Sequence, residues 1–271
     1  MDDVVFLERT WSGFDVNNRL GVWKMMTVDE KTKITNAYDM HGDGAVMWED
    51  VTNAVVVYFV DVKNLVRQSS IRGNVIDAYV ELLKSDQLRM YGDDDLADKL
   101  YFLSSIFLDV VKNKDVRVME VYVRRNVSVG SEFRYIHFRM CHLGHWTLVV
   151  YDTEDGSWKH FNPMRQRGDR ADMHHNEAKE RVSVAMKQSL REFGLDEHNI
   201  EANFCQPLES VTKCPQQKPD SLDCGVLVCA IMRQYVYQGD VEWSLQGSNC
   251  SVLHANMVKA LINDLVRGMK N

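Results

Sequence analysis

The sequence predicts an α+β or mixed α/β domain, with helices flanking a central sheet. Three observations lead there: strand-like segments cluster in the middle of the chain, periodic apolar helices lie on both sides, and no repeat or low-complexity tract interrupts them. The 271 residues suit one large domain or a core domain with an extension. Residues 1–50 differ in composition, being polar with three scattered tryptophans (Trp11, Trp23, Trp48), and are set apart as an N-terminal extension of the domain at 51–271.

In chain order, Val28–Tyr38 predicts a short helix. Asn53–Val60, β-branched and apolar, predicts a buried strand. In residues 73–90, Val75, Ile76, Tyr79, Leu82 and Leu83 share one helical face. After the turn signal GDDD, Leu96, Leu100, Leu103, Phe107 and Val110 predict a helix with one apolar stripe. Strands are expected at Asp115–Val123, Glu132–Met140 and Trp146–Asp152, with EDG (154–156) turning a hairpin into Ser157–Phe161. A helix around Asn176–Phe193, a short strand near Ile200–Cys205 and a helix from about Cys224 follow. The last helix, about Ser251–Val266, aligns Leu253, Met257, Leu261 and Leu265.

Composition excludes several classes. With 32 Lys+Arg against 39 Asp+Glu, the formal charge is 32 − 39 = −7, which argues against a nucleic-acid binder. The 45% hydrophobic content excludes a disordered chain. The most apolar run, Val55–Val62, is broken by Asp61 far short of the roughly 20 residues that span a bilayer, so no membrane partner is expected. The acidic start, MDDVVFLERT, is unlike a signal peptide. Six cysteines (141, 205, 214, 224, 229 and 250) contain no CxxC pair, so reduced thiols in the nucleus or cytoplasm are expected instead of disulfides or structural zinc.

The stretch Asp39–Asp50 places Asp39, His41, Asp43, Gly44 and Asp50 at calcium-loop positions. His41 offers nitrogen where oxygen is needed, and Asp50 stands where a bidentate Glu belongs; a Gly-rich turn is the preferred reading. His174 and His175 lack companion ligands at metal spacing and are expected at the surface, and Arg165, Arg167 and Arg170 in a solvated loop. No metal or cofactor is expected.

Cys224 stands out among the thiols. A Pro-interrupted polar loop precedes it and an apolar run, Val226–Ile231, follows, so it falls in the first turn of a helix capped by Asp220 or Ser221. Orphan amides and the macrodipole there favour a thiolate. Gly225 removes bulk beside the sulfur. Cys229, one turn and a residue on, fits a buried inert thiol. The base requires a histidine held by a second group. His145 opens an apolar strand, and Asn162 lies seventeen residues on, across the EDG hairpin, where cross-strand geometry brings imidazole and amide together.

His145-Trp146, Asn162 seventeen residues later, and a Gln ahead of Asp223-Cys224-Gly225-Val226 together resemble the ubiquitin-like-protein (SUMO-type) cysteine proteases and the related adenoviral protease. Residues 70–83 resemble the family's first helix region, and PQQKPDSLDCGV (215–226) looks most like plant members. The resemblance covers about residues 53–240. It implies a papain-like cysteine protease whose catalytic domain is 51–271, with a central mixed sheet flanked by helices. Carried over, Cys224 is the nucleophile, His145 the general base and then acid, and Asn162 the orienting third member. Gln217, seven residues before Cys224, would supply the oxyanion hole with the Cys224 amide, and Gln216 would do so if the register slips by one. Trp146 would cover one side of the substrate's Gly-Gly tail, and Ser70 falls where the family usually places a second Trp. Asn162 also departs from the family, which usually has Asp.

The implied activity is hydrolysis after the C-terminal glycine of a ubiquitin-like modifier, SUMO or neddylation type, by a monomer whose partners are that modifier and its conjugates. Two other readings are an inactive relative that binds the modifier, which would not require Cys224, His145 and Gln217, and a thiol-dependent acyltransferase, for which no coenzyme A site is evident.

Overall fold

The computed structural model describes residues 21–52, 54–91, 100–108, 134–164, 171–189, 207–238 and 250–264. In chain order the elements are α1 (Gly21–Lys24), α2 (Val28–His41), β1 (Val46–Glu49), β2 (Val56–Tyr58), α3 (Phe59–Val66), α4 (Gly73–Tyr91), β3 (Leu100–Phe102), β4 (Tyr135–His142), β5 (His145–Asp152), β6 (Ser157–Phe161), α5 (Met173–Ser189), β7 (Leu208–Ser210), α6 (Cys224–Gln238) and α7 (Cys250–Ile262). The chain divides into two units. The first comprises residues 1–83, 217–230 and 247–271, and the second 84–216 and 231–246. Helices α4 and α6 contribute to both.

In the first unit, α2 begins on a capping box. Thr27 Oγ1 accepts the Glu30 amide at 3.2 Å, and Glu30 Oε2 accepts the Thr27 amide at 2.8 Å. Gly42, at φ 62°, ends the helix, and the Gly42–Gly44 turn leads into β1, which pairs antiparallel with β2. The Asp50 carboxylate accepts from Thr52 Oγ1 and the Val55 amide, closing the loop between these strands. Helix α7 packs on α1, α2, α3 and β1, burying Val258 and Leu261. Trp48 Nε1 donates to Asp264 Oδ2 at 3.1 Å.

The strand expected over Asn53–Val60 is only Val56–Tyr58; Phe59 already begins α3. Asp61 explains the switch. Its buried carboxylate accepts from the Tyr58 amide (3.0 Å), Arg72 Nε (2.7 Å) and Asn74 Nδ2 (3.0 Å), so it starts a helix and ties it to the head of α4.

The second unit is built on a mixed sheet in the order β3-β4-β5-β6-β7. The outer pairs β3–β4 and β6–β7 are parallel, and β4–β5 and β5–β6 antiparallel. All of β5 is buried, which accounts for its continuous apolar run. Ile136, Phe138, Met140, Val149, Tyr151 and Trp158 form the core with Ala178 and Val182 of α5.

The helix expected over residues 96–110 is absent at Leu100–Phe102, which is a strand beside β4. Of its expected stripe, Leu103 and Phe107 join the core while Leu100 is half-buried and Leu96 and Val110 lie outside the described residues; the Leu103 carbonyl accepts from Arg139 Nε at 3.0 Å. Parallel pairing with a distant strand overrides the local period. The strands expected at 115–123 and 200–205 lie outside the described residues, as do Cys205 and Arg165, Arg167 and Arg170. The short strands β1 and β7 were not anticipated.

Candidate active site

The first unit holds Cys224, Gln217, Gly225 and Ser70; the second holds His145, Trp146 and Asn162. Ser70 is exposed just ahead of α4.

The Leu227 amide donates to the Asp223 carbonyl at 2.9 Å, so Asp223, not Asp220 or Ser221, is the N-cap and Cys224 is the first residue of α6. The thiol therefore sits at the positive end of the helix dipole, buried at 4% exposure and followed by the buried Gly225. The preceding loop is tied across itself, with Gln217 Nε2 donating to the Ser221 carbonyl at 3.0 Å. The Asp223 carboxylate meets His254 Nε2 of α7 at 3.0 Å, both groups buried. Burial is the strongest single influence and would raise this carboxyl, but the hydrogen bonds from His254, Ser221 and Cys250 and the His254 charge together outweigh it and hold Asp223 below the usual range. Burial, reinforced by the Asp223 charge, pushes the Cys250 thiol up to about 11, which disfavours its thiolate. Cys229 is buried along α6.

His145 is placed by two hairpins. His142 pairs with His145 across Leu143-Gly144, whose φ values are 50° and 76°. Positive φ at both central positions is the signature of the tight I′ turn. The β5–β6 register then sets Phe161 opposite Leu148, which brings Asn162, one residue beyond β6, back toward the start of β5. His145 Nε2 meets Asn162 Oδ1 at 2.8 Å, with both residues buried.

The direction of this contact follows from its neighbours. Asn162 Nδ2 donates to Asp172 Oδ2 at 2.8 Å, and Asn162 Oδ1 also accepts the Met164 amide at 2.9 Å. Because Oδ1 only accepts, Nε2 of His145 carries the proton and Nδ1 keeps the lone pair. Burial pulls the His145 pKa down, opposed by the Asn162 hydrogen bond and the Asp172 charge.

Asp172 was missed in the sequence, although it reads as a helix N-cap ahead of Met173-His174-His175. Its Oδ1 accepts the amides of His174 (3.0 Å) and His175 (3.1 Å). His174, expected at the surface, is buried instead, with its ring 4.6 Å from that of His145. Its ring packs against those of His142 and His145, which covers it, and burial lowers the His174 pKa to about 4. Of the adjacent glutamines, Gln216 Nε2 donates to the carbonyls of Asn162 (2.8 Å) and Cys214 (3.0 Å). Trp146, next to His145 in β5, is 7% exposed.

The chain shares its fold with solved SUMO proteases. The C-terminal Ulp1 protease domain in complex with Smt3, the yeast ortholog of SUMO, superposes with a TM-score of 0.64 at 12% identity, over 88% of this chain and 96% of that one. The Ulp1-like SUMO protease catalytic domain of Chaetomium thermophilum gives 0.61 at 15% identity, over 91% and 92%. A Ulp1 structure with its catalytic cysteine oxidised to a sulfenic acid gives 0.64 at 14% identity, over 88% and 96%. No curated protein matches the chain. Residues 70–264, well over half of the sequence, match the family model described as the Ulp1 protease family, C-terminal catalytic domain. With the α+β fold in agreement, the chain belongs to the Ulp1 family and is a cysteine protease.

Proposed function

We propose that the chain hydrolyses the peptide or isopeptide bond after the C-terminal glycine of a ubiquitin-like modifier, of the SUMO or neddylation type, through a thioester on Cys224. The observation that carries this reading is the 2.8 Å hydrogen bond from His145 to Asn162, which leaves Nδ1 as a base of defined orientation. In the proposed sequence Nδ1 takes the Cys224 proton and the thiolate attacks the glycine carbonyl carbon. The resulting oxyanion is held by the Cys224 backbone N–H and the Gln217 amide. The tetrahedral species collapses to the thioester as imidazolium protonates the leaving amine. Water, deprotonated by the same nitrogen, then attacks the thioester, and the thiol leaves as the modifier is released with a free carboxylate. Trp146 covers the glycine tail, and Ser70 in place of a second indole makes that cover looser.

A free thiol of this kind works in a reducing compartment, nucleus or cytoplasm, on a modifier and its conjugates, with the enzyme acting as a monomer. The yeast Ulp1 domain was captured with the SUMO ortholog Smt3, which supports a modifier of that class. The test is a panel of ubiquitin-like modifiers ending in a C-terminal electrophile. A covalent adduct is expected with wild type and none with Cys224→Ala. Non-covalent binding without any adduct would instead assign the chain as a binder that does not cleave.

A further inference from the structure

The third position of the site carries a neutral amide. Asn162 orients the imidazole but cannot offset the charge that His145 acquires when it takes the thiol proton. Behind that amide lies a carboxylate. Asp172 Oδ2 accepts from Asn162 Nδ2 at 2.8 Å, and Asn162 Oδ1 accepts from His145 Nε2 at 2.8 Å. The three side chains form one hydrogen-bonded row within the second unit.

We propose that Asp172 is a positioning residue that acts through Asn162 to supply the negative charge missing from the third position of the site. This rests on the thiol mechanism above. Helix capping accounts for only half of the Asp172 carboxylate. Oδ1 takes the His174 and His175 amides, and the Asp172 backbone carbonyl takes the Asn176 amide at 3.0 Å, whereas Oδ2 turns away from the helix to Asn162. Capping therefore fixes the carboxylate, and the second oxygen is aimed at the amide. An anion on the NH2 side of an amide polarises it and increases the acceptor strength of its oxygen. The same contact prevents an amide flip, which would present NH2 to the imidazole.

The surroundings keep this charge in place. Burial would raise the Asp172 carboxyl, but its hydrogen bonds from Asn162 and the helix amides hold it below the usual range, so it is ionised wherever the enzyme works. The other titratable groups facing the row are His142, His160, His174, His175 and Lys179. Burial pushes His160 to about 3 and His174 to about 4 and also lowers His175, so these imidazoles are neutral near pH 7. Among the described residues around His145, Asp172 is thus the anion.

Asp172→Asn removes the charge while keeping a side chain that caps helices equally well. The expected result is a His145 imidazole that titrates roughly half to one pH unit lower by NMR, since a nearby anion favours imidazolium. The acid limb of the kcat/KM profile, where the general base becomes protonated, should move down in pH with it. Turnover should fall roughly tenfold with KM within about twofold, the pattern of an interaction made in the transition state. Asn162→Asp alone places two carboxylates in contact, and one keeps its proton, so it should not exceed wild type. Combined with Asp172→Asn it moves the charge next to the imidazole and should restore turnover to within about threefold of wild type. An unchanged His145 titration in Asp172→Asn, or a double variant as slow as Asp172→Asn itself, overturns the proposal. The titration is read on the resting protein, so failure of wild type to react with any modifier probe would count against the function and leave the role of Asp172 separately decided.

Discussion

Gln216 and Gln217 carry the same side chain, and only their partners tell them apart. Gln216 directs its NH2 at the Asn162 and Cys214 carbonyls, with the Pro215 carbonyl a third, longer contact at 3.4 Å. Both of its N–H groups are committed to holding the chain. Gln217 spends one N–H on the Ser221 carbonyl, and its second is the one proposed for the oxyanion. Gln217→Ala should lower kcat by about 100–1000-fold, as loss of one oxyanion donor does elsewhere, with a smaller loss of stability than Gln216→Ala because only the Ser221 carbonyl loses its donor. Gln216→Ala should cost about 1–3 kcal/mol of stability, because it strips carbonyls of their donor. Steady-state hydrolysis of a modifier with a fluorogenic C-terminus, paired with urea unfolding, separates the two. A Gln216→Ala enzyme that is stable but inactive would show that the register is shifted by one. Spacing favours Gln217 but leaves Gln216 open by one residue, and the difference between them lies in which carbonyls the folded loop presents.

Elements that rest on local chemistry were readable from their own residues. The pattern Thr27-Val28-Asp29-Glu30 carries a capping box, and the helix it starts runs to His41 before Gly42 stops it. The strand beginning at His145 and the hairpin at residues 153–156 appear where the apolar run and the turn residues place them, with Gly156 at φ 67°. The turn between β4 and β5 is less regular. Leu143 occupies the left-handed region at φ 50° and is 76% exposed, so it bears the steric cost without packing in return. Leu143→Asn should stabilise the protein by about 0.5–1 kcal/mol, since asparagine tolerates this conformation. A urea midpoint that stays put or falls would show that the turn is not strained. Local chemistry failed where pairing is long-range. Leu100–Phe102 fits a helical stripe as well as a buried strand, and the register with Tyr135–His137 decides for the strand.

Across the molecule, buried histidines set the response to acid. His137 lies between the rings of Phe102 (4.6 Å) and Tyr235 (5.0 Å), and burial lowers its pKa to about 3, as it does that of His160. Well above pH 6.5 these imidazoles are neutral in both folded and unfolded chains. As pH falls through 6.5 the unfolded chain takes up protons that the folded one refuses, so stability declines until the folded groups protonate near 4 to 3. For His137 and His160 the loss between pH 7 and 5 is about 2 kcal/mol each, and His174 adds to it. Carboxylates held low, among them Glu30, Asp172 and Asp223, act only below this window, as pH falls past their unfolded values near 4. Urea midpoints at pH 7, 6 and 5 should fall steadily, and a flat series would refute the assignment of neutral buried imidazoles.

Residue types and spacings already single out the candidate reactive groups. A thiol placed where a polar loop becomes an apolar helix sits at a helix N-terminus by local rules alone. A histidine and an amide seventeen residues apart across one tight hairpin meet because antiparallel register converts spacing into distance. The tertiary structure decided what has no fixed register with its partner: the carboxylate of Asp172 behind Asn162, the burial of His174, and the strand at Leu100–Phe102. Each depends on a group brought in by a separate segment of chain, and local periodicity carries no information about where such a segment returns.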